Sequence, residues 1–200
     1  GLTPPVADAG PSLLATRAEL ETASERIARE ISVDHPGGVT LVGVLKGSVI
    51  FLADVARHLS VPAEIELVAV SPFDGAAGRT RVVKDVDRSV ADRSLVLVMG
   101  LMDTGFTADF LVRHLRALDP SSVQVAVLAN KTARRILPIQ AAYVGFEVPD
   151  RFVVGWGLDY RGRYRNVNGL WAVDGASLAD DPDLHVGALY GPRHTEDPPR

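Results

Sequence analysis

The chain has 200 residues, of which 46% are hydrophobic and 23% are charged. This length fits one compact domain, and the composition is that of an ordinary globular protein, which excludes disordered and fibrous classes. The 21 basic and 25 acidic residues give a net charge of −4, so nucleic acid is not an expected partner. The absence of cysteine excludes a disulfide framework, a thiolate nucleophile and a cysteine-ligated metal site.

The sequence shows no segment suited to a membrane. The longest apolar runs, such as residues 95–98, fall far short of the roughly 20 residues that a helix needs to cross a bilayer. The first residues lack a basic region followed by an apolar core, so no signal peptide is expected. These observations predict a cytoplasmic protein without a membrane partner.

Apolar periodicity predicts helices and strands that alternate along most of the chain. Thr16 and Glu19 have the spacing of a capping box, which predicts the start of a helix over residues 17–31. Further helices are predicted over residues 49–59 and 107–118, and strands over residues 39–45, 64–70, 80–83, 95–101, 123–128, 141–146 and 152–155. Parallel strands need crossover connections, usually helices, so this order predicts an α/β fold with a mostly parallel sheet.

The pattern divides the chain into a folded domain with an extension at each end. Residues 1–12 are rich in proline, glycine and alanine and are predicted to form a flexible arm. Residues 13–175 carry the alternating pattern and are predicted to form the domain. The periodicity ends after Asp174, so residues 176–200 are predicted to form a flexible tail.

A short polar motif follows the most apolar predicted strand, at the position where ligands of parallel α/β sheets usually bind. The motif Asp103-Thr104-Gly105-Phe106-Thr107 opens a predicted helix. Its backbone amides, its hydroxyls and the helix N-terminus together favour a phosphate monoester. Capping of the helix by Asp103 or Thr104 is the alternative interpretation.

Two further motifs follow predicted strands. Lys46-Gly47 lies in a turn that suits a second phosphate, although a loop lysine is usually only solvated. The stretch from Phe152 to Arg165 supplies an aromatic face, the carboxylate of Asp159 and several guanidinium groups. These groups suit the stacking of a flat ring, the binding of a divalent cation and the binding of phosphate, while Phe152 alone also fits a core position.

The order of these motifs resembles that of the hypoxanthine-guanine phosphoribosyltransferases. The matching stretches are Gly43-Val44-Leu45-Lys46-Gly47, Arg81-Val82-Val83-Lys84-Asp85, Asp103-Thr104-Gly105-Phe106-Thr107, Asn130-Lys131, Tyr143-Val144-Gly145-Phe146 and residues 152–160. The resemblance implies a type I phosphoribosyltransferase fold, in which a central, mostly parallel sheet is flanked by helices and carries a small hood region. It also implies a homodimer or homotetramer.

The activity implied by the resemblance is that of a glycosyltransferase. Such an enzyme joins a purine-like base to phosphoribosyl pyrophosphate (PRPP), or to a related phosphosugar pyrophosphate, and releases pyrophosphate with the help of Mg²⁺. Its expected partners are therefore small-molecule substrates.

The resemblance further implies a role for each site residue. Asp103 is expected to act as general base or acid at the purine. The sugar phosphate is expected to bind Asp103, Thr104, Gly105, Phe106 and Thr107. Base binding is implied for Lys131, Phe152 and Val153, pyrophosphate binding for Lys46, Gly47 and Arg165, and Mg²⁺ binding for Asp159. Residues 71–80 take the place of a mobile lid.

The sequence departs from the family where two acidic residues normally precede the sugar-phosphate motif. Met99 and Gly100 occupy those places. The missing carboxylates would bind the ribose 2- and 3-hydroxyls, and each such bond contributes about 1.5–3 kcal/mol. Two alternatives therefore stay open: an enzyme of secondary metabolism with an unusual sugar donor or a modified purine, and a non-catalytic protein that binds purine nucleotides.

Overall fold

The structure, a computed structural model, describes residues 10–71 and 80–191. In chain order its elements are β1 (Ser12–Thr16), α1 (Arg17–Asp34), β2 (Val39–Val44), α2 (Val49–His58), β3 (Ala63–Val70), β4 (Val82–Lys84), β5 (Ser94–Met102), α3 (Phe106–Arg116), β6 (Ser122–Asn130), a 3₁₀ turn (Thr132–Arg134), β7 (Tyr143–Glu147), β8 (Phe152–Val154), β9 (Gly169–Val173), α4 (Gly175–Asp180) and α5 (Val186–Leu189). Residues 1–9 of the predicted arm, 72–79 of the predicted lid and 192–200 of the predicted tail lie outside the described residues.

The central sheet has six strands in the order β4-β3-β2-β5-β6-β7. Neighbouring strands run parallel except for β3 and β4, which pair antiparallel. The predicted α/β fold with a mostly parallel sheet is therefore confirmed. The carboxyl end of β5 leads directly into the loop before α3, which places residues 103–105 at the edge of the sheet where ligands bind.

Helices cover both faces of this sheet. α1 and α2 pack on one face, where Ile27 and Phe51 are buried with Val96 of β5. α3 packs on the other face, where Leu111 is buried with Leu97. β5 therefore buries alternate side chains against helices on both sides, which explains its continuous apolar sequence.

α1 begins with the predicted capping box. Thr16 Oγ1 accepts the amide N–H of Glu19 at 3.2 Å, and Glu19 Oε2 accepts the amide N–H of Thr16 at 2.8 Å. The bond from the Thr16 amide, followed by the contact with its hydroxyl, holds the pKa of Glu19 below its ordinary value. Across residues 10–71 and 80–191, none of the helices is both long enough and apolar enough to cross a membrane.

A second, three-stranded sheet forms the predicted hood, with the strand order β1-β9-β8. Both strand pairs are antiparallel. The sequence predicts neither β1 nor β9, and Ser12, the last residue of the predicted arm, is the first residue of β1. These short strands form because they pair with each other across the length of the chain.

The predicted flexible tail is corrected by the structure for residues 176–191. α4 and α5 pack against the hood, where Leu178 and Leu189 are buried with Val154, Tyr164 and Val173. Helices of six and four residues are too short to show an apolar period, so the sequence pattern does not reveal them.

Candidate active site

A cavity of about 290 Å³ opens between the carboxyl edge of the central sheet and the hood. It is lined by Lys46, Gly47, Leu101, Asp103, Lys131, Phe152, Val153, Leu158, Asp159 and Arg165. The structure therefore brings together Asp103 and every residue that the sequence assigns to base, pyrophosphate or metal. A larger groove of about 530 Å³ lies where β2, β3 and β5 begin, and none of the predicted site residues lines it.

The loop between β5 and α3 carries the rest of the predicted sugar-phosphate residues. Gly105 has a φ of +93°, in the left-handed region that favours glycine. A Cβ there would lie 2.8 Å from Ile139 Cγ2 and 3.0 Å from Arg135 Cδ, so the turn has no space for a side chain. Phe106 and Thr107 begin α3, and the N–H groups and dipole of that first turn attract an anion.

Capping of α3, the alternative role of this motif, is at most a weak contact of Thr104, and the carboxylate of Asp103 pairs with Arg134 instead. The residue before the helix is Gly105, which has no side chain with which to cap it. Thr104 Oγ1 lies 3.5 Å from the amide nitrogen of Phe106, at the long limit of a hydrogen bond. The Phe106 side chain is exposed and has no polar group, so this residue can contact phosphate only through its backbone N–H.

A second loop, residues 131–139 after β6, supports the 103–107 loop from behind. The carbonyl of Thr104 accepts the amide N–H of Ile136 at 2.9 Å. Arg135 joins the two loops, because its guanidinium donates to the carbonyl of Asp103 at 3.1 Å and to the carbonyl of Ile139 at 2.7 Å. These bonds fix the backbone that leads into α3.

The carboxylate of Asp103 forms an ion pair with an arginine that the sequence analysis missed. Asp103 Oδ1 is 2.8 Å from Nε of Arg134, whose Nη1 also lies 3.4 Å from Asp150 Oδ1. Attraction to these two carboxylates, Asp103 first, raises the pKa of Arg134 above its ordinary value. Asp103 Oδ1 is buried and has no well-aligned hydrogen bond within the described part of the chain. The sequence feature that could have pointed to this ion pair is Arg134-Arg135, which begins three residues after Lys131.

One side of the cavity suits a flat ring. Phe152 is 37% exposed, so it is not a core residue, and its ring packs nearly perpendicular to that of Tyr160, with centroids 5.4 Å apart. Lys131 is only 6% exposed, and its amide donates to the carbonyl of Met102 at 3.0 Å. The side chain of Val153 is buried, so its backbone is the part available to a ligand.

The loop after β2 forms another wall of the cavity. The peptide bond before Lys46 is cis. The carbonyl of Gly47 lies against Gly100, where a Cβ would be 2.5 Å from that oxygen and 2.8 Å from Leu158 Cδ2. Met99 is 5% exposed and packs in the apolar layer under α3. The end of β5 therefore offers no carboxylate, and Gly100 leaves no room for one.

The remaining wall carries one carboxylate and one guanidinium. Asp159 Oδ1 is 3.1 Å from Arg165 Nη2, and Asp159 Oδ2 accepts the amide N–H of Gly162 at 2.7 Å. Among residues 10–71 and 80–191, no three His, Cys, Asp or Glu side chains are grouped to hold a metal. A single carboxylate still fits Mg²⁺, because that ion is commonly bound by one or two carboxylates together with substrate phosphates and water.

Comparison with known proteins identifies the class of this molecule. The family model of the phosphoribosyl transferase domain matches residues 13–161. The hypoxanthine-guanine phosphoribosyltransferase of Mycobacterium avium is 35% identical over 82% of this chain and 85% of its own length. The enzyme of the same name from Bacillus subtilis is 34% identical over 78% of this chain and 88% of its own length.

Solved structures show the same relationship. A hypoxanthine-guanine phosphoribosyltransferase from Bacillus anthracis is similar with a TM-score of 0.78 and 30% identity, over 81% of this chain and 98% of that one. A hypoxanthine phosphoribosyl transferase from Trypanosoma cruzi has a TM-score of 0.80 and 29% identity, over 84% of this chain and 94% of that one. The fold is thus that of a phosphoribosyltransferase enzyme. Within that class, the chain belongs to the hypoxanthine-guanine phosphoribosyltransferase family.

Proposed function

We propose that the protein joins hypoxanthine or guanine to the phosphoribosyl group of PRPP and releases pyrophosphate. The observation that carries the proposal is the single cavity that Asp103, Lys131, Phe152 and Arg165 all line. Asp103 supplies a proton acceptor and Lys131 a hydrogen-bond donor. Phe152 supplies a flat apolar ring, and Arg165 a cation that can bind phosphate. The names of the relatives from Mycobacterium avium and Bacillus subtilis support the same substrates.

The base is proposed to lie against the ring of Phe152. The edge-on contact with Tyr160 at 5.4 Å fixes the plane of that ring. The ammonium group of Lys131 has three donors and no acceptor, so it suits the 6-oxo oxygen that hypoxanthine and guanine share. The backbone of Val153 meets the edge of the base.

The phosphates are proposed to bind at two ends of the cavity. The backbone of residues 104–107 and the N-terminus of α3 hold the 5-phosphate. Lys46, the Gly47 backbone and Arg165 hold the pyrophosphate, and Arg165 is already oriented by its contact with Asp159. Mg²⁺ bound to Asp159 and to phosphate oxygens would supply further neutralisation of the negative charge on the pyrophosphate.

In the proposed reaction a purine nitrogen attacks C1 of the ribose. The bond between C1 and the pyrophosphate oxygen breaks, and the electron pair leaves with pyrophosphate. Lys46 and Arg165 stabilise that developing negative charge. The proton of the purine passes to Asp103, whose carboxylate is held in place by Arg134 at 2.8 Å.

Self-association and location are also proposed. Val49, Ile65 and Val83 are large apolar side chains that are 43%, 52% and 57% exposed on α2, β3 and β4. Their exposure supports a homodimer or homotetramer, which sedimentation velocity would reveal and a monomer at micromolar concentration would refute. Cytoplasmic location remains a prediction from the sequence.

The test is a steady-state assay with purified protein, Mg²⁺, PRPP and either hypoxanthine or guanine. We expect nucleotide and pyrophosphate to form in equal amounts. Failure of the unmodified protein to form either product would refute the proposed function.

The matched variant for this assay is Asp103→Asn, which keeps the shape of the side chain and removes its basicity. Loss of general-base catalysis is expected to lower kcat by about 10²–10⁴-fold. Asp109→Asn is the control, because Asp109 lies on α3 and pairs with Arg113 on the helix surface. Equal activity of the two variants would contradict the role of Asp103.

A further inference from the structure

Residues 181–190, at the C-terminal end of the described chain, pack on the loop that carries two of the cavity residues. That loop runs from Asp159 to Asn166. The packing segment lies beyond residues 13–161, which are the part matched by the phosphoribosyl transferase family model. Its contacts therefore lie outside the region that this family model matches.

The central contact involves a buried tyrosine. Tyr164 is fully buried, and its hydroxyl donates to the carbonyl of Pro182 at 2.6 Å and accepts the amide N–H of His185 at 3.3 Å. Tyr164 has a φ of +71°, which few residues other than glycine adopt, so its backbone position is tightly specified. Both hydrogen bonds of the hydroxyl come from the C-terminal segment.

Two further contacts hold the loop on either side of this tyrosine. Arg163 pairs with Asp183 through two bonds, of which the one from Nη2 to Oδ2 is 3.3 Å long. The hydroxyl of Tyr190 donates to Asn166 Oδ1 at 2.7 Å. The ring of Tyr190 also stacks on Tyr164, with centroids 6.4 Å apart and an interplanar angle of 22°.

Arg165, the residue after Tyr164, faces the cavity rather than the C-terminal segment. Arg165 lines the cavity, where its Nη2 lies 3.1 Å from Asp159 Oδ1. Its carbonyl accepts the amide N–H of Gly157 at 2.8 Å. Neighbouring Cα atoms are a fixed distance of about 3.8 Å apart, so a displacement of Tyr164 carries Arg165 with it.

We propose that residues 181–190 are a C-terminal clamp that positions Arg165 and Asp159 and thereby sets the affinity of the cavity for pyrophosphate. The clamp residues touch no reacting atom and act only through the loop. The proposal rests on the proposed function for the identity of the ligand, but not for the effect of the clamp on the loop.

The test variant is Tyr164→Phe, which keeps the buried ring and removes both hydrogen bonds. We expect the Kd for pyrophosphate with Mg²⁺, measured by calorimetry, and the KM for PRPP to rise about three- to tenfold. The KM for the purine is expected to stay unchanged. The matched control is Tyr143→Phe, which removes the hydroxyl of another buried tyrosine, bonded to Asp34 at the opposite edge of the central sheet.

Hydrogen exchange provides a readout that needs no substrate. Tyr160 and Arg163 donate amide N–H groups to each other's carbonyls at 3.0 and 2.9 Å, so their protection reports the order of the loop. Tyr164→Phe is expected to exchange faster at these amides, and Tyr143→Phe is not. Unchanged exchange together with unchanged pyrophosphate affinity would overturn the clamp, whereas an unmodified protein that forms no nucleotide would overturn only the proposed function.

A second pair of variants keeps the test valid if Tyr164→Phe fails to fold. Asp183→Lys is expected to weaken pyrophosphate binding, and combining it with Arg163→Glu is expected to restore that affinity by re-forming the pair. A double variant as weak as the single one would contradict the clamp.

Discussion

Gly100 is the residue at which this chain differs most clearly from the pattern of its family. The carbonyl of Gly47 lies between two glycines, because a Cβ at Gly100 would be 2.5 Å from it and a Cβ at Gly157 would be 2.6 Å from it. The loop after β2 thus occupies the space that a carboxylate side chain at position 100 would need. We therefore expect recognition of PRPP to depend on its phosphates more than on its hydroxyls.

The close packing at Gly100 predicts that even the methyl group of an alanine there will disturb the loop after β2. In Gly100→Ala the loop that carries Lys46 and Gly47 must move away from β5. We expect the KM for PRPP to rise about tenfold and the free energy of unfolding to fall by about 1–3 kcal/mol, the usual cost of overpacking. Enzyme kinetics and urea denaturation measure the two effects.

Gly37→Ala is the matched control for Gly100→Ala. A Cβ at Gly37 would have no atom within 4 Å. The control is therefore expected to keep both the KM and the stability of the unmodified protein. If Gly100→Ala behaved in the same way, the close packing of Gly47 on β5 would be wrong.

At the level of residues, the sequence predicts which residues line the cavity, but it does not predict the contacts that they make with each other. Asp103, Lys131, Phe152 and Asp159 were identifiable because each belongs to a motif of fixed order, and the structure places all four on one cavity. Arg134 belongs to none of these motifs, so its pairing with Asp103 became visible only in three dimensions.

At the level of elements, local signals predicted the main sheet and its helices. α1 has a capping box and β5 a continuous apolar run, and both are properties of adjacent residues. β1 and β9 pair with each other although they are far apart in sequence, so no local pattern marks them. The short helices α4 and α5 depend in the same way on packing against the hood.

The loop after β6 offers a test at this scale, because Arg135 holds it to the 103–107 loop. Its guanidinium donates to the carbonyls of Asp103 and Ile139 and to the side chain of Asn130. Arg135→Gln removes most of these charge-assisted bonds. We expect a loss of about 2–4 kcal/mol in the free energy of unfolding and about tenfold weaker binding of guanosine monophosphate.

Arg113→Gln is the control, since Arg113 pairs with Asp109 on the exposed surface of α3. Exposed pairs contribute little, so its stability is expected to change by less than about 0.5 kcal/mol. Denaturation curves and calorimetric titration measure both variants. Equal stability and equal nucleotide affinity of the two variants would show that Arg135 does not support the 103–107 loop.

At the level of the whole molecule, the cavity is a joint product of two sheets. The central sheet and its loops contribute Lys46, Asp103 and Lys131. The hood contributes Phe152 from β8 and Arg165 from the loop between β8 and β9. These residues lie between positions 46 and 165, so their spacing in the sequence does not reveal that they are close together. They meet only when the two sheets pack against each other. Periodicity and the polar motifs that follow its strands could predict the sheet and its ligand-binding edge, whereas the role of each residue was assigned only through the resemblance of the motifs to a family.

The most direct test of this account is a crystal structure of the protein with guanosine monophosphate. We expect the phosphate on the backbone of residues 104–107, the purine ring against Phe152, and its 6-oxo oxygen within hydrogen-bond distance of Lys131. A nucleotide bound in the larger groove at the other edge of the sheet, or with its base away from Phe152 and Lys131, would contradict it.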